Sequence, residues 1–557
     1  MKKFIAILLA VVMLFALSAS AFAAANSLET DYAIGNGLGV SVDLDIEGMY
    51  FDGEDILNTA TNGYYPFSFS LIVSNRANVA SVTVSNGGSF HWAYAQNADG
   101  SYVTDEDGNY VESTTTNYGV VVLPTNSTST VTVTGTGSIG LATFNCAQPS
   151  GGTTAAGASL YAYLPAPAQF VNEGVTTGGW GDAYDSNGAV KATSSTGVSL
   201  GFFGGYAVYE FENPIADDPT HPYGADFIVY GNAFWGNSEA GCIQVSKDGT
   251  TWYDIAGSMY YTKSTKGATI TYTNPSTSED AGITAAGSNL GTLAPVSYTL
   301  NGAAGTVTTN TFHNHSWFPL NANYFAASGS RAAMAKVDEF SFVSRTLASN
   351  GVTDKLTFTG TLLTDYPGTG KTDQIGFGYC DVHPNKTLGG TIAYNPYQTF
   401  TSSSDYDTKV AGTSGGDPID IAWAVKPNGT PANLDSIRYV RIYTGMAQMN
   451  GIFGEISTEV CGVAACTGST TETAVTPTIK VNGTAQETTN GRTVSIADLG
   501  TGTVTVTVEG SGYIYINGVA VTSATFTPTE DGTPVQIIVQ NGTAAPYIAG
   551  LRLKTAE

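Results

Sequence analysis

The sequence has little charge and few basic residues. Only 12% of its 557 residues are charged, and 21 Lys and Arg residues stand against 46 Asp and Glu residues. The net charge of −25 argues against a nucleic-acid partner, because phosphate binding needs clustered cations. Solubility therefore rests largely on hydroxyls, amides and turns, and an acidic surface of this kind also suits calcium.

Cysteine is scarce as well, with five residues in the whole chain: Cys146, Cys242, Cys380, Cys461 and Cys466. In an oxidising compartment, an odd count leaves at least one thiol unpaired. Cys461 and Cys466 are close enough in sequence to close a small loop, and burial as small apolar residues is an equal alternative. Disulfides are therefore not expected to be the main source of stability.

The motifs of several enzyme classes are missing. The chain has no Gly-x-Ser-x-Gly elbow, no His-Glu-x-x-His and no phosphate loop. A carboxylate pair for glycoside hydrolysis has little weight as evidence, because 46 acidic residues always offer some such pair. We therefore expect a binding protein and not an enzyme.

Residues 1–23 have the form of a secretory signal peptide: lysines at 2 and 3, an apolar run over 4–17 and an A-x-A site at 21–23. The run is shorter than the roughly 20 residues that span a bilayer. Cleavage removes two lysines and no acids, so the mature charge is two units more negative. With no lipid-accepting cysteine and no hydrophobic tail, we expect a secreted, extracellular protein without membrane insertion, associated non-covalently with a cell-envelope partner.

Alternating β-branched runs at 79–85, 129–134 and 503–508 predict half-buried strands, and helical periodicity is scarce. The predicted fold class is all-β, with several β-sandwiches. We expect an N-terminal sandwich over 24–157, a central ligand-binding domain over 158–463 and a linker over 464–473. The remaining residues, 474–557, fit a small Ig-like sandwich, and the flanking modules serve as spacers or attachment units.

The central segment contains the candidate recognition residues. Residues 231–239 form a predicted loop with two aromatic rings, two amides and a carboxylate, which suits a sugar face or a planar ligand. The first predicted ligand-binding residues are Tyr230, Asn232, Phe234, Trp235 and Asn237. The alternative is that Phe234 and Trp235 plug the end of the sandwich. Trp252, after a predicted Asp-Gly turn, is expected to pack in the core.

A second candidate group is His313, His315 and Trp317. If this stretch is extended, both imidazoles point to one face and could share a metal or contact a metal-bearing cofactor. Solvent-exposed histidines are the alternative.

Carboxylates also recur near predicted strand ends, at Asp226, Asp417, Asp420, Glu455 and Glu459. Hard oxygen ligands from separate loops suit Ca²⁺, and we expect a structural calcium site at Asp226, Asp417 and Glu455. No EF-hand spacing is present, and solvated turn residues are the alternative.

Six stretches of the central segment resemble a family of bacterial surface proteins best represented in gut Bacteroidetes. These stretches are residues 163–172, 226–234, 245–252, 376–381, 417–425 and 454–459. The resemblance implies a jelly-roll or galactose-binding-like central domain that captures a ligand, with corrinoids or glycans as the leading classes, since some relatives belong to cobalamin-scavenging systems. This chain departs from many relatives in lacking a lipid-accepting cysteine and in having only a short loop, 247–250, where they carry a calcium-type loop.

The sequence thus predicts a protein that captures a corrinoid or a glycan through loops of its central sandwich. Two other functions stay open. A polysaccharide hydrolase or lyase would need a carboxylate pair across a cleft. A structural or adhesive protein would bind no small ligand at all.

Overall fold

The computed structural model describes most of the chain from Tyr32 onward. The described residues are 32–34, 38–43, 49–52, 55–58, 68–73, 75–85, 88–95, 97, 103–105, 110–122, 127–136, 141–148, 157–169, 197–233, 238–249, 251–273, 296–307, 355–364, 376–383, 388–392, 394–398, 400, 402, 415–449 and 454–556. The predicted signal peptide, Phe234, Trp235, Asn237 and the predicted group His313, His315 and Trp317 lie outside them.

The structure confirms the all-β prediction. Its described helical elements are short 3-10 turns, at Arg76–Asn78, Pro222–Gly224 and Ile421–Trp423. Within the described residues, no helix is long and apolar enough to cross a membrane.

The N-terminal part has ten strands: β1 Tyr32–Ile34, β2 Leu38–Asp43, β3 Met49–Asp52, β4 Asp55–Asn58, β5 Ser68–Val73, β6 Val79–Val84, β7 Ser89–Trp92, β8 Tyr118–Val122, β9 Ser127–Gly135 and β10 Leu141–Gln148. They form two five-stranded sheets, ordered β1-β2-β5-β8-β7 and β3-β4-β10-β9-β6. Val131 and Val133 are fully buried while the threonines beside them are half-buried, as the alternation in β9 predicts.

The central part has fifteen strands: β11 Ala158–Leu164, β12 Val198–Ser199, β13 Tyr206–Ala216, β14 Phe227–Tyr230, β15 Gly241–Ser246, β16 Tyr253–Ile255, β17 Ser264–Thr273, β18 Ser297–Leu300, β19 Ala303–Thr306, β20 Lys355–Leu363, β21 Asp417–Ile419, β22 Ala424–Val425, β23 Ser436–Thr444, β24 Glu459–Val460 and β25 Gly462–Ala465. A six-stranded sheet, β11-β13-β23-β15-β16-β22, lies among a three-stranded sheet, β21-β14-β25, a four-stranded sheet, β19-β18-β17-β20, and the pair β12-β24.

One hydrophobic core joins these sheets. Ile243 and Ile442 of the six-stranded sheet are buried in the same cluster as Phe227 of the three-stranded sheet and Ile270 of the four-stranded sheet. Trp423 is fully buried in this cluster, and its indole Nε1 donates to the Tyr397 hydroxyl at 2.7 Å. Burial of a large aromatic ring with its polar atom satisfied is a strong source of stability.

The predicted Asp-Gly turn joins β15 to β16. Gly249 has a positive φ of 74° and its amide donates to Ser246 Oγ at 2.8 Å, which closes the turn. Trp252 follows the turn, half-buried, and packs against the main core, as its position predicts.

The C-terminal part has eight strands: β26 Thr478–Val481, β27 Thr484–Gln486, β28 Arg492–Ile496, β29 Val504–Glu509, β30 Tyr513–Ile516, β31 Ser523–Phe526, β32 Thr533–Gln540 and β33 Tyr547–Leu553. Two four-stranded sheets, β27-β26-β29-β31 and β28-β33-β32-β30, enclose a core of their own. The outer face of the second sheet packs on the central part: Ile538 and Ile548 belong to the central core, and the Tyr515 hydroxyl donates to Tyr397 O at 2.8 Å.

The segment predicted as a linker, 464–473, is partly built into this packing. Its first two residues complete β25, and the Thr470 amide donates to Thr220 O at 2.7 Å. The C-terminal sandwich is therefore connected to the central part by ordered backbone as well as by buried side chains.

Candidate functional site: two carboxylate clusters on one strand

The short strand β14 has a carboxylate cluster at each end. The loop clamp, at its carboxyl end, consists of Glu239, Asp381 and Glu459. The strand-entry cluster, at its amino end, consists of Asp217, Asp226 and Asp420. Within each cluster, one oxygen from every carboxylate lies within 4.8 Å of the others, so each set could hold a hard cation or share a proton.

Asp381 fastens the loop that follows β14. Its Oδ1 accepts the backbone amides of Asn232 and Ala233, each at 2.7 Å, and its Oδ2 accepts the Glu459 amide at 3.1 Å. A Cβ at position 231 would collide with Asp381, so this approach requires glycine at Gly231. One fully buried carboxylate thus joins three segments that are far apart in sequence.

Burial raises the pKa of Asp381 to about 7, although three backbone amides oppose the rise by stabilising the charged form. The pKa of Glu459 is raised well above its usual value, first by burial and then by the charges of Glu239 and Asp381. A hydrogen bond between the side chains of Glu239 and Glu459 adds to this rise. The arrangement therefore favours a protonated carboxyl in the loop clamp at neutral pH unless a cation balances the charge.

The strand-entry cluster has an imidazole beside it. Asp226 Oδ1 accepts the Asp218 amide at 2.9 Å and lies 3.3 Å from His221 Nδ1, while Oδ2 accepts the Ile421 amide at 2.9 Å. The pKa of His221 is raised, mainly by its hydrogen bond to Asp226. The cluster is therefore part of a network that includes a titratable imidazole.

The other two carboxylates of this cluster also have raised pKa values. Burial and the neighbouring acids raise the pKa of Asp217 to about 7, and that of Asp420 rises well above its usual value for the same reasons. Asp420 Oδ1 accepts the Ala422 amide at 2.8 Å and caps the 3-10 turn that leads to Trp423. Its position is therefore fixed by local backbone geometry.

The three residues of the predicted calcium site do not form one group. Asp226 belongs to the strand-entry cluster, whereas Asp417 accepts from His383 Nδ1 at 2.7 Å and from the Val382 amide at 3.1 Å. Glu455 is buried on its own, with Oε1 accepting the Gln169 amide at 2.8 Å. Each of these carboxylates has a separate protein partner.

The predicted ligand-binding residues divide between core and loop. Tyr230 is fully buried, and its hydroxyl accepts the Gly390 amide at 3.0 Å, so its side chain serves the interior. Asn232 is half-buried at the start of the loop. Of the predicted ligand residues, the structure describes these two. Tyr230 is the last residue of β14, and Asn232 lies two residues beyond it in the loop.

Sequence reasoning missed Asp217, Glu239 and Asp381 as members of the clusters. Asp381 did fall inside one of the six stretches that carried the family resemblance. Four of those stretches, 226–234, 376–381, 417–425 and 454–459, meet around β14 through the contacts above. The position of Asp381 inside the stretch 376–381 is the sequence signal that could have identified it.

A scan against protein-family models gave no match for this chain, and a search of curated proteins gave none either. The resemblance to bacterial surface proteins therefore remains a prediction.

Proposed function

We propose that this chain is an exported ligand-binding protein, with its recognition surface at the loop that follows β14. The observation that carries the proposal is the double hydrogen bond from the Asn232 and Ala233 amides to Asp381 Oδ1. Phe234 and Trp235 follow these two clamped residues directly in sequence. A rigid base reduces the conformational entropy that a recognition loop loses on binding.

The ligand class that we propose is a corrinoid or a glycan. Aromatic rings supply apolar contact to a sugar face or a planar macrocycle, and the amides of Asn232 and Asn237 supply paired donors and acceptors. The group His313, His315 and Trp317 is a second proposed contact, since a neutral imidazole is a good axial-type ligand for a bound metal.

The hydrogen bonds of the clustered carboxylates favour a binding function over acid–base catalysis. Asp381, Asp226 and Asp420 all accept hydrogen bonds from backbone amides and are buried. A glycosidase needs two carboxyl groups that face a cleft and reach the scissile bond. These side chains instead hold the backbone of the central sandwich in place.

A binding screen of the secreted protein tests the proposal. We expect a signal with cyanocobalamin, cobinamide or one class on a glycan array, and we expect Trp235→Ala to abolish it while the protein stays folded. Tyr513→Ala is the matched control, because Tyr513 is an exposed aromatic residue of the C-terminal sandwich. His315→Ala should weaken a corrinoid signal if the second group contributes.

If the protein bound none of these ligands, the result would count against the proposal and would favour a structural or adhesive surface protein. Turnover of a polysaccharide that disappears on changing one Asp or Glu would favour a hydrolase or lyase instead. The proposed location is extracellular, with non-covalent attachment to the cell envelope.

A further inference from the structure

A polar row crosses the six-stranded sheet on the face that Ile243 and Ile442 do not occupy, beside the part of that face where β20 packs on Cys242 and Tyr443 through Thr361. The register sets Val208 opposite Arg441, Arg441 opposite Gln244, and Gln244 opposite Asp254. Directly paired residues of antiparallel strands point to the same face of a sheet. Arg441, Gln244 and Asp254 therefore lie side by side on three neighbouring strands, and all three are half-buried.

Arg441 is a cation with no counter-ion among the residues that the structure describes. In the part of the chain that the structure describes, no carboxylate lies within ion-pair distance of its guanidinium, and its buried Nε has no hydrogen-bond partner. Arg438, three residues away on the same strand, also has a buried Nε without a partner, but its guanidinium pairs with Glu210 at 2.7 Å. A half-buried cation left unpaired in a chain of net charge −25 indicates a place where an anion from outside belongs.

The aromatic rings around Arg441 hold its guanidinium in place. The guanidinium carbon lies 4.2 Å from the centroid of the Tyr206 ring and 5.9 Å from that of Tyr443. Cation–π contacts of this kind occupy the flat face of the group and leave its N–H edges to bind an acceptor. A planar carboxylate matches those edges through two parallel hydrogen bonds.

The neighbours of Arg441 suit hydroxyl groups. Gln244 Nε2 donates to Asp254 Oδ1 at 2.8 Å, and Thr361 Oγ1 donates to Asp254 Oδ2 at 3.0 Å. These bonds fix both side chains, and within the described residues no donor is bonded to Gln244 Oε1. The negative charge of Asp254 also disfavours a dianionic phosphate more than a singly charged carboxylate.

We propose that this row binds a carboxylate-bearing saccharide, with a uronic acid carboxylate on Arg441 and adjacent hydroxyls on Gln244 and Asp254. The site lies on the sheet face and not on the loop after β14, so it goes beyond the function proposed above. The proposed uronate site can therefore be tested independently of that loop.

Titration calorimetry with oligogalacturonate tests the proposal, and a neutral galactose oligomer of the same length and inorganic phosphate serve as comparison ligands. We expect the wild-type chain to bind oligogalacturonate and neither comparison ligand. Arg441→Gln should weaken binding by about tenfold or more, because it removes the charged fork. Arg441→Lys should recover only part of the affinity, since an ammonium group cannot form the paired bonds.

Arg492→Gln is the control for charge, because Arg492 is exposed on the C-terminal sandwich, and it should leave the affinity unchanged. Gln244→Leu is an independent test that leaves Arg441 in place and should also weaken binding. Trp235→Ala should leave uronate binding intact, which separates this site from the loop. The proposal is overturned if folded Arg441→Gln binds as the wild type does, if phosphate or the neutral oligomer binds equally well, or if the wild type binds no uronate.

Discussion

The two carboxylate clusters occupy opposite ends of β14 and yet differ in what balances their charge. In the loop clamp, Asp381 accepts three backbone amides and its neighbours are two further acids. In the strand-entry cluster, Asp226 accepts two amides and also faces His221. Carboxyl pKa values are raised in both clusters, so the feature that separates them is the His221 imidazole, which lies beside the strand-entry cluster.

This difference implies a division of roles. A carboxylate that satisfies several buried amides cannot be removed without leaving those donors unpaired. A carboxylate beside an imidazole responds to pH in the range where histidine titrates. We thus expect the loop clamp to dominate stability and the strand-entry cluster to tune it.

The largest expected effect is that of Asp381→Ala. The substitution leaves the amides of Asn232, Ala233 and Glu459 without their acceptor, and each unsatisfied buried donor costs about 1–3 kcal/mol. We expect a loss of roughly 3–5 kcal/mol in the free energy of unfolding, measured by denaturant titration. Glu530→Ala, at an exposed carboxylate of the C-terminal sandwich, is the control and should change stability by less than about 0.5 kcal/mol. Equal effects of the two would contradict the clamp.

Asp226→Asn should have a smaller effect. The amide keeps one acceptor oxygen but turns an NH₂ group toward one of the two backbone donors, from Asp218 or Ile421. We expect a loss of roughly 2 kcal/mol in the same titration. A loss larger than that of Asp381→Ala would reverse the ranking of the clusters.

The third prediction concerns pH. The pKa values of Asp381 and Asp217 are raised to about 7, so in the folded state these groups keep protons that the unfolded chain releases near pH 4. Their contribution to stability is therefore full at low pH and is lost as pH rises through about 7. We expect the melting temperature to fall by on the order of 5 °C between pH 5 and pH 8 in the presence of a chelator.

Adding calcium to this experiment tests whether either cluster binds the cation. If a cluster holds Ca²⁺, millimolar calcium should restore most of the lost stability at pH 8, because the cation replaces the proton. Asp217→Asn and Glu459→Gln show which cluster causes the pH and calcium dependence of the melting temperature, because each variant removes one titrating group from a different cluster. A melting temperature that rises with pH in the chelator would show that the carboxyl pKa values are not raised.

The smallest expected effect is that of His221→Gln. The pKa of His221 is raised by Asp226, so the stabilisation due to the charged imidazole is present at low pH and is lost as pH rises through the folded pKa. We expect the variant to be less stable than the wild type by at most about 1 kcal/mol at pH 6, with the difference disappearing at pH 9. A difference that persists at pH 9 would indicate a packing role for the ring.

Much of the local structure could be predicted from the sequence. The alternation in 129–134 and 503–508 matches β9 and β29, and the Asp248-Gly249 pair forms the expected turn. The half-buried packing of Trp252 followed from the same hairpin. These features depend on residues that are close together in the chain, so a local sequence pattern is enough to predict them.

The candidate site was harder to predict, because its partners are distant in sequence. Tyr230 sits beside the predicted loop, yet the pairing of β14 with both β21 and β25 places it in the interior. The acceptor for the Asn232 amide is Asp381, 149 residues away. No local pattern distinguishes a carboxylate that will meet a buried amide from one that will face water.

By itself, the sequence determined that this chain forms strands, where several of them lie and where the Asp-Gly turn joins two of them, because a period of two and turn chemistry are properties of adjacent residues. Only the tertiary structure decided which acids became buried acceptors and left Arg441 with no counter-ion in the described part of the chain. Those outcomes depend on which strands become neighbours and on how much water their contact excludes, and both are set by the packing of the whole chain.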